Sequence, residues 1–207
     1  GGAKDLCETG VFREYGVEAI FGLHLWPGLT EGTVASRANE MMARSCEVKV
    51  DVLGRSSHIA RAGEGLDALE AGAKFYLRAL ELERALPQNV FRLLKFGRFE
   101  SGRVCNAISA HTHMEGSLRA FQDDIFFGMR DGLLALGKQI EAETGCAIRV
   151  DMNEGYPAVM NPPELYARVR QVTDFRELAA PMMITEDFSW YQRSLPGLFF
   201  LLGAGDV

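Results

Sequence analysis

The sequence predicts a ferredoxin-like α+β sandwich, over about residues 45–156, inserted into a second domain assembled from the flanks 1–44 and 157–207. Two observations predict this. Between residues 45 and 156 the hydrophobic period alternates between two and 3.6 in the order strand, helix, strand, strand, helix, strand, which is the order of an antiparallel sheet with two helices on one face. The flanks show no repeat or low-complexity linker separating them, and insertion is compatible with the closeness of domain termini.

In chain order, residues 3–10 read as a helix end closed by Gly10. Ala19 to Leu25 is a short apolar run ended by Trp26-Pro27-Gly28, a buried strand and its turn. Cys46 to Leu53 alternates, with Val48, Val50 and Val52 on one face and Glu47, Lys49 and Asp51 on the other. Gly54-Arg55-Ser56-Ser57 breaks it. From Leu66 to Arg84 the residues Leu66, Leu69, Ala73, Leu77 and Leu80 recur at helical spacing, and Pro87 follows the end. Phe91–Glu100 reads as a strand and Ser101-Gly102 as a turn. Ala110–Phe121 is the next strand, in which Thr112, Met114 and Gly116 alternate with His111, His113 and Glu115. Asp123-Asp124 is placed to cap a helix through Ile125, Met129, Leu133, Leu136 and Ile140, stopped by Gly145. Ala147–Asn153 is the last strand. Met41-Met42 and Phe126-Phe127 read as core or interface filling.

The 207 residues carry 47% hydrophobic and 24% charged side chains and a net charge of −6, an ordinary globular composition. An acidic surface argues against nucleic acid or an anionic membrane as partner. There is no apolar run of the roughly 18 residues that a membrane span needs, and a cytoplasmic protein is the expectation. Cys7, Cys46, Cys105 and Cys146 form no C-x-x-C pair and read as buried free thiols.

Five stretches resemble the zinc aminoacylase and carboxypeptidase family (M20), in its branch of hippurate hydrolase, N-acetyl-diaminopimelate deacetylase and auxin-conjugate amidohydrolases. They are Phe21-Gly22-Leu23-His24-Leu25-Trp26-Pro27-Gly28, Gly54-Arg55-Ser56-Ser57-His58, Asn106-Ala107-Ile108, Glu115-Gly116-Ser117-Leu118-Arg119-Ala120-Phe121 and Thr185-Glu186-Asp187-Phe188. The resemblance implies an α/β catalytic domain, here partial, with an inserted ferredoxin-like lid that also dimerises. It implies hydrolysis of the amide of an N-acyl amino acid by water activated between two divalent ions, of zinc, manganese, cobalt or nickel. The family's Cys-Gly-His-Asp stretch, its Glu-Glu pair and its late ligand His are not in the sequence. The expectation is therefore a chain that begins just after the general base, ends before the last ligand, and holds a metal weakly or not at all by itself.

Taken alone, His24 at a strand end is a structural histidine and His58 after its Ser-Ser turn a solvated one. The resemblance implies that His24 is a metal ligand and that His58 stabilises the oxyanion in a neighbouring subunit's site. It implies that Asn106 and Arg119 grip the substrate's α-carboxylate, for which a guanidinium fork is suited. His111 and His113, two apart on a strand, share a face and are able to share a metal, but the resemblance puts no ligand there and they read as an exposed sheet face. Glu186 and Asp187 receive no role. A non-catalytic dimerisation or small-ligand module of ferredoxin-like fold is the rival reading; nothing in such a module requires His24.

Overall fold

The computed structural model describes residues 2–205. Gly1, which opens the Gly1-Gly2-Ala3-Lys4 segment, and Asp206 and Val207 at the other end lie outside the described residues. The order of elements is α1 (Gly2–Glu8), α2 (Val11–Glu14), β1 (Ile20–Trp26), β2 (Val34–Ser36), β3 (Asn39–Met42), β4 (Arg44–Leu53), α3 (Ala68–Arg84), β5 (Arg92–Ser101), β6 (His111–Ala120), α4 (Asp123–Thr144), β7 (Ala147–Met152), β8 (Val159–Asn161), α5 (Pro163–Arg170), β9 (Arg176–Glu177) and β10 (Gly197–Gly203), with 3-10 turns at Ile59–Glu64 and Asp187–Arg193. The chain divides into two compact units, Gly1–Ser45 with Tyr156–Val207, and Cys46–Gly155.

The first unit has a four-stranded mixed sheet in the order β1-β10-β2-β9 and a two-stranded sheet β3-β8. Edge strand β1 pairs in parallel with β10, His24 opposite Leu201. The run Gly197–Gly203 is apolar throughout because β10 is internal and buried on both faces. Met41, Met42, Val159, Phe188, Phe199 and Leu201 form its main core. A buried amide ties the two sheets: Asn161 Nδ2 donates to the Ser36 hydroxyl and to the carbonyls of Arg37 and Phe199, while its Oδ1 accepts from Phe199 N at 2.9 Å.

The second unit has the connectivity of a split β-α-β sandwich, with strand order β5-β6-β4-β7. β5 and β6 form an antiparallel hairpin, and β4 pairs antiparallel with β7. Val48, Val50 and Val52 of β4 and Thr112, Met114 and Leu118 of β6 are fully buried against the two helices. Their sequence neighbours project from the opposite face, as the period of two requires.

Four local expectations are corrected. Strand β1 is not buried: it lies at the edge of its sheet, and Phe21, Leu23 and Leu25 stand exposed on one face. Helix α3 does not bury the stripe of Leu69, Ala73 and Leu77. It buries Ala68, Ala71, Gly72, Phe75, Ala79 and, from the expected stripe, Leu80, and leaves Leu69 and Leu77 exposed. Small residues let the helix sit close on the sheet: a Cβ on Gly72 would lie 2.6 Å from the Thr112 methyl. Helix α4 is capped at Gln122, so Asp123 and Asp124 fall inside its first turn, where their charge suits the helix dipole. Among the cysteines, all free, only Cys46 and Cys146 are buried; Cys105 is exposed in the turn before Asn106.

Candidate functional site

His24 lies on β1 with its Nδ1 donating to Glu186 Oε2 at 3.1 Å. Two of the quoted stretches build this pair. Gly22 leaves room for Phe188, since a Cβ there would lie 2.6 Å from the rings of Phe188 and Phe199. Phe188 is buried in the 3-10 turn that follows Glu186. The lead-in is fixed as well, because Ala43 N donates to the carbonyls of Met182 and Ile184. The Glu186 carbonyl accepts from the Ser189 amide and hydroxyl, which holds the turn and frees the carboxylate for His24. With its proton on Nδ1, the His24 ring presents the Nε2 lone pair. Glu186 is the partner that sequence reading quoted without a role.

His58 caps the 3-10 turn Ile59–Glu64, its Nδ1 accepting from Ala60 N at 3.2 Å. That bond places the ring proton on Nε2. The same loop pairs with the segment of Asn106: Ile59 N donates to the Asn106 carbonyl, Ile108 N donates to the Ser57 carbonyl, and His58 bridges Ala107. His58 and Asn106 are thus brought together, next to a cavity of about 540 Å³ lined by Ser56, Ser57, His58 and Arg61. Gly54 makes the loop possible, since a Cβ there would lie 2.2 Å from the Leu66 carbonyl.

Arg119 is elsewhere. Its Nε donates to the Ser117 hydroxyl on β6, and Ser117 shares a cleft with Glu47. That is the end of the sheet at which the chain enters and leaves the unit. Eight residues of strand separate Arg119 from His111, roughly 27 Å at the rise of a β-strand. Gly54 N donates to Ala110 O, so the His58 loop begins at the opposite end.

On the exposed face of the same sheet, His111 Nε2 and His113 Nδ1 both donate to Asp51 Oδ1, at 2.8 and 2.9 Å. His113 Nε2 donates in turn to Glu115 Oε1 at 3.0 Å. Burial opposes the Asp51 charge, but the two histidines outweigh it and hold its carboxyl below the usual range. Hydrogen bonds to Glu115 and then to Asp51 raise the His113 imidazole above its ordinary value. Sequence reading set Asp51 on the polar face of its strand without a role. The signal was there in the outward register of Asp51, His111 and His113, but which strand neighbours β4 is not visible in a single chain.

On a strand of the mixed sheet, His24 is thus a carboxylate-backed histidine with one ring nitrogen left to accept. The family described as peptidase family M20/M25/M40 matches residues 1–207, and the chain belongs to it. It is 27% identical over 216 residues to an N-acetyldiaminopimelate deacetylase of Lacticaseibacillus casei, covering 99% of this chain and 56% of that protein. The chain thus spans about half the length of the curated relatives it matches. A crystal structure of a candidate aminohydrolase from methicillin-resistant Staphylococcus aureus superimposes with a TM-score of 0.88 at 26% identity, over 98% of this chain and 54% of that one. A Bacillus subtilis protein, YXEP, described as a dinuclear metal-binding peptidase of the M20 family, matches in fold with a TM-score of 0.70 at 23% identity, over 97% and 51%.

Proposed function

We propose that this chain carries part of a metal-dependent amidohydrolase that cleaves the amide of N-acyl amino acids, with His24 as one metal ligand. The observation that carries the reading is the 3.1 Å bond from His24 Nδ1 to Glu186 Oε2. It fixes the tautomer whose Nε2 is a ligand and orients the ring, as carboxylate partners of metal-bound histidines do. The residues present fit one position of a metal centre. When bound, two divalent ions supply polarisation of the amide carbonyl and an activated water. The deacetylase name of the Lacticaseibacillus casei relative supports the substrate class.

The Cys46–Gly155 unit serves in this reading as the ferredoxin-like lid and the site of homodimer contact. Its edge strands β5 and β7 and the exposed Leu69 and Leu77 offer surface for such a contact. Phe21, Leu23 and Leu25 form a further exposed apolar row, on β1. His58, with its proton on Nε2, donates to the oxyanion that develops on the scissile carbonyl, and Asn106 sits beside it. Arg119 holds the substrate carboxylate.

The test is hydrolysis of N-acetyl and N-benzoyl amino acids by the complete product of the gene, with added zinc, manganese, cobalt or nickel. His24→Ala should abolish turnover and remove tightly held metal. Full activity of His24→Ala, or no amide hydrolysis with any of the metals, sinks the reading.

A further inference from the structure

We propose that Asp51, His111 and His113 bind a single divalent transition-metal ion of the zinc type on the exposed face of the β5-β6-β4-β7 sheet, as a site of its own that His24 does not serve. Among the described residues these three bring one ligand atom each to within 4.8 Å of one another. Imidazole nitrogen and carboxylate oxygen are the donors that zinc takes.

The arrangement differs from an ordinary surface ion pair, which uses one ring per carboxylate. Here two rings from one strand converge on a single oxygen, Asp51 Oδ1. The far nitrogen of His113 donates to Glu115, which aims Nδ1 inward as the ligand atom once its proton is given up to solvent. That carboxylate–histidine backing is how proteins orient a ligating ring.

The frame is rigid. Val50 and Val52, on either side of Asp51, are fully buried. Thr112, between the two histidines, is also fully buried and donates to the Ala68 carbonyl at 2.7 Å. The side chains still have freedom to adjust. Tetrahedral bonds of about 2.0–2.1 Å place ligand atoms roughly 3.3 Å apart, so the 2.8 and 2.9 Å contacts open by a few tenths of an ångström while the two ring nitrogens, within 4.8 Å of each other, settle to the same spacing. The His111 side chain, 53% exposed, is able to turn by that much. An ion would take the place of the protons now between the rings and Oδ1.

Charge and access agree. Glu100 and Glu115 flank the site and Arg98 is engaged by both, at 2.8 and 3.4 Å. Arg149, opposite Asp51 in register, turns to Asp151. Both rings line an open cleft of about 720 Å³, which gives an ion a path in and leaves a coordination position to water. This departs from the expectation that the chain alone holds no metal tightly, which counted only His24.

The experiment is calorimetric titration of the 207-residue chain with zinc(II), and the visible spectrum with cobalt(II). One ion per chain should saturate, with cobalt bands of a four-coordinate nitrogen–oxygen site. His111→Ala and Asp51→Asn should each weaken binding at least tenfold. Glu115→Gln, which keeps all three ligands, should weaken it roughly 10–100-fold. His24→Ala should leave it unchanged, which separates this site from the one under Proposed function. Thermal melts in EDTA accompany each variant, and Glu115→Gln decides the matter where a ligand variant does not fold. The proposal is overturned by absence of saturable binding, by affinity unchanged in His111→Ala and Asp51→Asn, by loss with His24→Ala instead, or by a thiolate charge-transfer band that puts the ion on a cysteine.

Discussion

Gly22 decides whether His24 and Glu186 meet. Any larger residue presses on Phe188 and Phe199 and drives the 3-10 turn at Asp187–Arg193 away from β1. Glu186 immediately precedes that turn, so its carboxylate leaves the ring. In the complete gene product, Glu186→Gln should lower metal affinity or kcat/KM by roughly 10–100-fold with the melting temperature unchanged, while Gly22→Ala should lower both activity and melting temperature. Metal titration and melts of the two variants check this, and an unaltered Glu186→Gln enzyme would remove Glu186 from the site. Asn161 has the opposite character, since it touches no proposed ligand. Its buried amide bonds β2, the Arg37 carbonyl and β10 at once. Asn161→Ala should cost roughly 1–3 kcal/mol for each buried group left without a partner. Urea unfolding measures the loss, and a change within 0.5 kcal/mol would show that water replaces the amide.

Helix α4 shows what the sequence discloses about an element and what it conceals. Its buried row Met129, Leu133, Leu136 and Ile140 and its stop at Gly145 were legible from period and from the glycine, which sits at φ 73°. The Glu141 contact to the next strand was not. Its carboxylate accepts from Ile148 N at 2.8 Å and tethers the helix end to β7. That backbone bond first, and Lys138 second, hold the Glu141 carboxyl below its ordinary 4.5. A carboxyl depressed in the folded state adds stability above its unfolded value and loses it as pH falls through the folded one. Glu141→Gln should therefore narrow the difference in melting temperature between pH 7 and pH 3, and an identical acid limb in the variant would show that the tether contributes nothing. The face of α3 was misread because leucine outweighs alanine in any hydrophobic count, whereas the buried face carries the small Ala71, Gly72 and Ala79, with Gly72 close against Thr112. Strands β2, β3, β8 and β9, of two to four residues, went unread because pairing with distant segments makes them, not local pattern. Strand β10 did carry a signal, a continuous apolar run after Pro196, that a search for alternation passes over.

At the scale of the whole molecule, the length of β6 governs how the proposed site is assembled. His58 and Asn106 stand at one end of the Cys46–Gly155 unit and Arg119 at the other, roughly 27 Å of strand apart. An N-acyl amino acid is shorter than that, so one copy of the unit cannot offer both groups to one substrate. Two copies can, with the guanidinium from one protomer and the His58–Asn106 pair from its partner. The groups should separate kinetically. Arg119 meets a charge present in ground and transition states alike, so Arg119→Ala should chiefly raise KM, by an amount equivalent to about 2–5 kcal/mol. Arg119→Lys should rescue it poorly for want of the fork. His58 meets charge that develops only in the transition state, so His58→Ala should lower kcat by roughly 10²–10³. Mixing full-length His58→Ala with full-length His24→Ala tests the sharing directly. In a mixed dimer one site combines an intact His24 with an intact partner His58, so part of the activity should return as subunits exchange. Pairing His24→Ala with Arg119→Ala should restore none, because each site then lacks one group supplied by its own chain. Restoration in the second mixture but not the first would exchange the roles of the two ends of β6, and mixed dimers without activity in either would mean that each chain builds its site alone.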